Sequence, residues 1–301
     1  LMPIGHGFKF VINKVMRCIF MVDSILNKIT KELEGIPGVV GVVLGGSRAR
    51  GNHHERSDID IGIYYDESEG FDVGQLNKVA AKLDDEHREG LVTPLGQWGP
   101  WVNAGGWLII NGYHVDFILR DIKRVSQVID DCLAGRVSIH YQTGHPHGYL
   151  NAMYMGEISI CKILLDPKGK ISQLKSKTYP YPKALKEAIT RYFMFEASFS
   201  LMFAEDNVEK DDIYYICGHC FRSISCLNQV IFALNDEYCI NEKKAVKMIE
   251  GFKIKPKDYK ERVDRIITLL SSDKESTKKG VNMLRDVIFE TEMLVGNIGK
   301  D

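Results

Sequence analysis

The sequence predicts an α+β chain: a twisted mixed sheet with flanking helices, followed by an all-helical C-terminal domain. Three observations predict it. Short β-branched runs crowd into the first part of the chain, before Asp121. Two of them flank Asn111-Gly112, which supplies the two positive-φ residues of a type I′ hairpin turn. After Tyr149 the apolar residues fall at helical spacing to the C-terminus.

Taken in order, Met21, Ile25, Ile29 and Leu33 mark a helix that opens at Met21. Gly35, Pro37 and Gly38 stop it. Val39 to Leu44 is a continuous apolar run and reads as a buried strand, broken by Gly45-Gly46-Ser47. Asp58 to Tyr65 alternates, with Ile59, Ile61 and Ile63 on one face and Asp58, Asp60 and Gly62 on the other. Residues 72–89 read as a helix. The hairpin then runs from Trp107 to Ile110 and from Tyr113 to Leu119. On its second strand His114, Asp116 and Ile118 share a face. A helix over about 121–134 and a short strand from Arg136 to Tyr141 follow. The helical half predicts helices over about 150–165, 183–205, 211–235, 241–252, 257–271 and 276–295. The expected division is an N-terminal extension (1–20), a mixed domain (21–147) and a helical domain (148–301).

The 301 residues, 45% hydrophobic, are enough to bury a core. A net charge of −1, with Asp and Glu interleaved among the C-terminal lysines, argues against a nucleic-acid surface. Seven scattered cysteines fit free thiols in a reducing compartment. Cys217-Gly-His-Cys220 lacks a second pair to complete a zinc site. No run of eighteen apolar residues is present, and a cytoplasmic protein is expected. Residues 1–20 carry Lys9, Lys14 and Arg17 among apolar residues but no clear cleavage site.

The chemistry concentrates in LGGSRARGNHHERSDIDIGIYYD, residues 44–66. Glycines after a buried strand let backbone amides approach a phosphate closely, and Ser47 adds a hydroxyl. Asp58 and Asp60, two apart on a strand, turn both carboxylates to one face. Such a pair in apolar surroundings repels unless a cation joins it, and magnesium favours carboxylates together with substrate phosphate oxygens. Asp116 lies on another strand with a matching polar face. Three such acids can hold two metals about 3.5–4 Å apart, the arrangement that serves displacement at phosphorus.

Gly-Gly-Ser, ten residues, Asp-Ile-Asp and a third aspartate on a later strand together resemble the polymerase-beta nucleotidyltransferase superfamily. The likeness is to its smaller bacterial members with a helical C-terminal domain, which include aminoglycoside and lincosamide nucleotidyltransferases. It covers about residues 38–120. The stretches WGPWVNAGGWL (98–108), GHPHGYL (144–150) and FALNDEYCINEKKA (232–245) resemble a bacterial subgroup of the same superfamily. The resemblance implies that Gly45, Gly46, Ser47 and Arg48 bind a triphosphate, and that Asp58, Asp60 and Asp116 hold two Mg²⁺ ions. Asp116 then also helps deprotonate the attacking hydroxyl. It implies transfer of a nucleoside monophosphate from an NTP, ATP in the first instance, to a small hydroxylated acceptor, with the site in a cleft between the domains.

Other residues leave two readings open. Arg48 and Arg50 reach the triphosphate or remain in the loop. His53 and His54 bind metal or face solvent. Trp98 and Trp101 line a pocket or cap the sheet. Glu157 acts as a general base or suits a helix N-terminus. Glu242 and Lys243 face the nucleotide or cap a helix. His145 and His147 line the cleft or shape the linker. The rival functions are nucleotidylation of a protein partner and non-catalytic nucleotide binding. The presence of all three acids argues against the second. An RNase in the helical half is discounted, because Arg136 and His140 fall in a predicted strand. A homodimer stays open.

Overall fold

The computed structural model describes residues 6–298 apart from residue 211, with side chains from Phe20 to Asn297. Residues 1–5 of the expected extension, and the side chains of Lys9, Lys14 and Arg17, lie outside the described residues. The elements run α1 (His6–Glu34), β1 (Val39–Leu44), α2 (Gly46–Arg50), β2 (Ile59–Tyr65), α3 (Val73–Leu83), β3 (Gly105–Ile110), β4 (Tyr113–Asp121), α4 (Ile122–Leu133), β5 (Ile139–His140), β6 (Tyr149–Leu150), α5 (Ala152–Ile160), β7 (Lys162–Leu165), α6 (Lys170–Ser176), α7 (Lys183–Asn207), α8 (Ile213–Leu234), α9 (Ala245–Ile249), α10 (Tyr259–Leu269) and α11 (Lys274–Ile298). They form two compact units. The first runs to Gln127 and takes in Glu157–Ser176; the second holds Val128–Gly156 and Lys177 onward.

The first unit is built on a five-stranded mixed sheet in the order β3-β4-β2-β1-β7. Only the central β2–β4 pair is parallel; β1–β2, β1–β7 and β3–β4 are antiparallel. Strand alternation sorts the side chains. Ile59, Ile61 and Ile63 of β2, and Val115, Phe117 and Leu119 of β4, are buried in one core with Ile25, Ile29 and Leu33 of α1 and Leu76, Ala80 and Leu83 of α3. The opposite face of β2 and β4 therefore carries Asp60, Gly62, Asp116 and Ile118.

The hairpin turn has the predicted geometry, with Asn111 at φ 51° and Gly112 at φ 75°. Asp84 ends α3 earlier than its periodicity suggests. Its carboxylate accepts the Ile109 N–H at 2.9 Å and pairs with Arg88 at 2.6 Å, tying the helix end to β3. The bond from Arg88 holds the Asp84 carboxyl well below the usual carboxylate range.

Two expectations are corrected. The first helix does not open at Met21 but runs unbroken from His6; Val11, Val15, Ile19 and Val22 continue the spacing of Ile25 and Ile29. Nor is 150–165 one helix. α5 ends at Ile160, and Lys162–Leu165 pairs with the edge of β1, with Leu44 opposite Lys162 and Val43 opposite Ile163. A free strand edge is a template for pairing, and it overrides the local helical spacing. α6, which the periodicity did not mark, follows at once. The Asp166 carboxylate accepts the Ile171 and Ser172 N–H groups at 3.1 and 2.8 Å.

In the second unit α7 and α8 pack along their length, with α10 and α11 against them. Tyr259 Oη donates to Asn228 Oδ1 at 2.8 Å inside this core, as a buried polar pair requires. Among the described residues no helix is long and apolar enough to cross a membrane.

Candidate functional site

The sheet places the sequence-predicted acids side by side. Asp60 of β2 stands opposite Asp116 of β4 in register, so the two residues sit on neighbouring strands about 4.8 Å apart in the pairing direction, on one face. Asp58 lies one residue before β2, exposed. On the other side of β2, the Gly45 N–H donates to the Asp60 carbonyl at 2.8 Å, carrying the Gly-Gly-Ser turn to the same end of the sheet.

Gly46 is required there by two independent facts. Its φ is +57°, and a Cβ in its place would lie 1.8 Å from Asp60 Oδ2. The backbone of the turn thus approaches the carboxylate more closely than any side chain permits. Ser47 sits half-buried in the short helix α2 that follows.

Arg48 turns toward the backbone. It is 6% exposed. Nη2 donates to the Ser57 carbonyl at 2.6 Å, and Nε reaches the Ser57 and Asp58 carbonyls at 3.1 Å each. Its guanidinium lies 5.9 Å from the centre of the Tyr113 ring. The residue clamps the loop that delivers Asp58. Beneath that loop a cavity of about 400 Å³ is lined by Leu26, Leu44, Arg48, His53 and Tyr113, while the three acids face the open side of the sheet. His53 is held below the ordinary histidine value by burial first, and then by Arg48 and Lys162.

The electrostatics single out Asp116. Its carboxyl is pushed from 3.8 up to about 6, first by burial, then by Asp60 and Asp58, with His114 pulling the other way. Burial and two like charges oppose ionisation together. Among the described residues no group of three or more His, Cys, Asp or Glu already stands at ligand spacing. The donor set nevertheless fits a hard divalent cation: oxygen ligands only, with Asp60 and Asp116 in register on one face and Asp58 two residues before Asp60.

Several candidates are placed elsewhere. Glu157 of α5 forms a bidentate pair with Arg120, at 2.9 and 2.7 Å, and Arg120 is 4% exposed. Glu157 therefore serves as the counter-ion of a buried guanidinium. Trp101 is 5% exposed and stacks under the Arg124 guanidinium, 4.4 Å away, which makes it part of the packing. Trp98 instead meets Trp107, with ring centres 4.8 Å apart. In the second unit, Glu242 accepts the His147 N–H at 2.7 Å and lies 3.8 Å from His145 Nδ1, so these three shape the segment before β6. Burial, before Arg222, pushes His147 down. The Cys217 and Cys220 thiols are raised by burial, which suits packing rather than reactivity.

Trp107 was not among the sequence candidates, although the signal was present. A two-residue turn at 111–112 pairs Ile110 with Tyr113, and counting back pairs Trp107 with Asp116, as observed.

Residues 24–137 match the family model of the nucleotidyltransferase domain. Among solved structures the chain is similar to a nucleotidyltransferase-like protein from Exiguobacterium sibiricum 255-15, at 10% identity and a TM-score of 0.46, over 92% of this chain and 77% of that one. No curated protein matches the chain. The family match spans the Gly-Gly-Ser turn, Asp58, Asp60 and Asp116 together, so over residues 24–137 the chain is similar to a nucleotidyltransferase domain.

Proposed function

We propose that the protein transfers a nucleoside monophosphate from a nucleoside triphosphate, ATP in our reading, to a hydroxyl of a small acceptor. The acceptor oxygen bonds to the α-phosphorus, the bond to the β-phosphate oxygen breaks, and pyrophosphate leaves. The observation that carries this reading is the register of Asp60 with Asp116 beside a glycine turn too tight for a side chain.

The residues divide the work. Amides of Gly46 and Ser47 receive phosphate oxygens, while the Gly45 N–H, engaged by the Asp60 carbonyl at 2.8 Å, fixes the turn instead of binding phosphate. Asp58, Asp60 and Asp116 would hold Mg²⁺, which supplies charge neutralisation at the reacting phosphate. Arg48, through the Ser57 and Asp58 carbonyls, keeps the loop in place. Asp116, the acid on the strand nearest the acceptor in this scheme, helps to take the proton of the acceptor hydroxyl. Glu157 is not the base in this scheme, since Arg120 engages both of its oxygens.

The test is isothermal titration with non-hydrolysable ATP, GTP, CTP and UTP analogues, with and without Mg²⁺, beside the Asp58→Ala, Asp60→Ala double variant. Metal-dependent binding lost in the double variant supports the reading and names the donor. A folded protein that binds no triphosphate, or binds one regardless of metal and mutation, overturns it.

A further inference from the structure

The open face of the sheet carries a row across three strands, continued at one end by the turn that follows β1. Gly45 bonds to Asp60, Asp60 stands in register with Asp116, and Asp116 with Trp107. Residues paired in register project to the same face. The row therefore reads, from β1 to β3: phosphate-binding turn, acid, acid, indole. Each step is one strand spacing, about 4.8 Å. The indole is next to Asp116 and three strands away from the turn that takes the triphosphate.

Trp107 is an unusual residue to find there. It is 63% exposed, whereas its strand neighbours Gly106 and Leu108 are buried. It is also held in place. Trp98 lies over Gly105, where an added Cβ would come within 2.3 Å of the Trp98 ring, and Trp98 packs against Trp107 at 4.8 Å with the planes 30° apart. The bare Gly105 thus makes room for one indole that braces the other. A rigid aromatic surface beside a reactive acid is a stacking platform rather than packing, because nothing in this unit covers its outer face to any large extent.

We infer that Trp107 is the acceptor-specificity residue of this site, and that the acceptor carries a planar aromatic or heteroaromatic ring about one strand spacing from its reacting hydroxyl. This rests on the nucleotidyl-transfer reading above. The position in the row makes the occupant the acceptor and not the donor base: Asp116 lies between Trp107 and the phosphate turn. The Trp98–Trp107 pair makes it planar, because a flat ring extends an existing stack over its whole surface.

The experiment uses the full chain with Mg²⁺ and a non-hydrolysable ATP analogue present, so that the donor site is filled. Binding of 3-pyridinemethanol and of cyclohexanemethanol, an alcohol of similar size without a planar ring, is read by saturation-transfer NMR, which does not depend on the indole removed. Trp107→Ala and Trp107→Phe are compared with the native protein, and calorimetry with the ATP analogue alone runs in parallel. The expected result is that Trp107→Ala weakens 3-pyridinemethanol by about fivefold or more, as the loss of one ring–aromatic stack does. Trp107→Phe restores most of it, and ATP-analogue binding is the same in all three. Native affinity for the pyridine in Trp107→Ala, or equal binding of the two alcohols by the native protein, overturns the inference while leaving the function standing. Absence of Mg²⁺-dependent ATP-analogue binding in the native protein overturns both, so the two failures are separable.

Discussion

Replacing Asp116 with Asn should make the metal-free protein more stable at neutral pH while abolishing transfer. The Asp116 carboxyl is raised from 3.8 to about 6 by burial and by Asp60 and Asp58. Between those values each pH unit is worth about 1.4 kcal/mol, so ionising Asp116 in the folded chain opposes folding by up to about 3 kcal/mol. Partial exposure screens some of that, leaving an expected gain of about 1–2 kcal/mol for the neutral amide. The sign follows from the direction of the shift. A raised group favours the fold fully below 3.8, and that contribution is lost as pH rises through about 6. In EDTA at about pH 7.5, Asp116→Asn should therefore melt roughly 2–8 °C above the native protein. At about pH 5 the difference should fall to about half. Mg²⁺ should raise the melting temperature of the native protein and close the gap. Differential scanning calorimetry at the two pH values, with and without Mg²⁺, measures all of this. An amide variant no more stable than native at neutral pH, or a gain of equal size at both pH values, refutes the argument from repulsion.

Three other outcomes follow from single contacts. Gly46→Ala puts a methyl where Asp60 Oδ2 now lies and strains a positive-φ residue; it should destabilise by about 1–3 kcal/mol in urea and abolish Mg²⁺-dependent nucleotide binding. Glu157→Ala leaves the Arg120 guanidinium, 4% exposed, without its counter-ion and should cost about 3 kcal/mol of stability; unchanged urea stability with lost turnover would instead make Glu157 catalytic. Arg48→Ala removes the clamp on the Ser57 and Asp58 carbonyls, and calorimetry should show triphosphate affinity falling by about tenfold or more, the weight of one or two charge-assisted hydrogen bonds.

What could be read from the sequence was what neighbours in the chain decide. The Asn111-Gly112 turn fixes its own dihedrals, so the hairpin was legible. Alternation along β2 and β4 sorted isoleucines from aspartates before any sheet was known. What escaped depends on distant partners. Lys162–Leu165 is a strand only because the edge of β1 is there to receive it. Arg48 reads as a phosphate ligand until the loop carbonyls of Ser57 and Asp58 are seen to converge on it. Glu157 reads as a helix-terminal acid until Arg120 meets it. Trp107 lies between these cases: turn register alone places it opposite Asp116, but its exposure does not follow from strand phase.

The return of the chain to its first unit has a consequence for how the protein is made. The sheet is closed on the β1 side by β7, which lies beyond the residues 24–137 that match the family model. A ribosome delivers residues in order, so a nascent chain holding every proposed catalytic residue still presents β1 as a bare edge until Leu165 has emerged. At about 5–20 residues per second, that interval lasts a few seconds, during which an apolar strand can pair with a neighbour's. A gene cut at the end of the family match would make the interval permanent, and its product should aggregate where a cut after Ser176 would leave the edge covered.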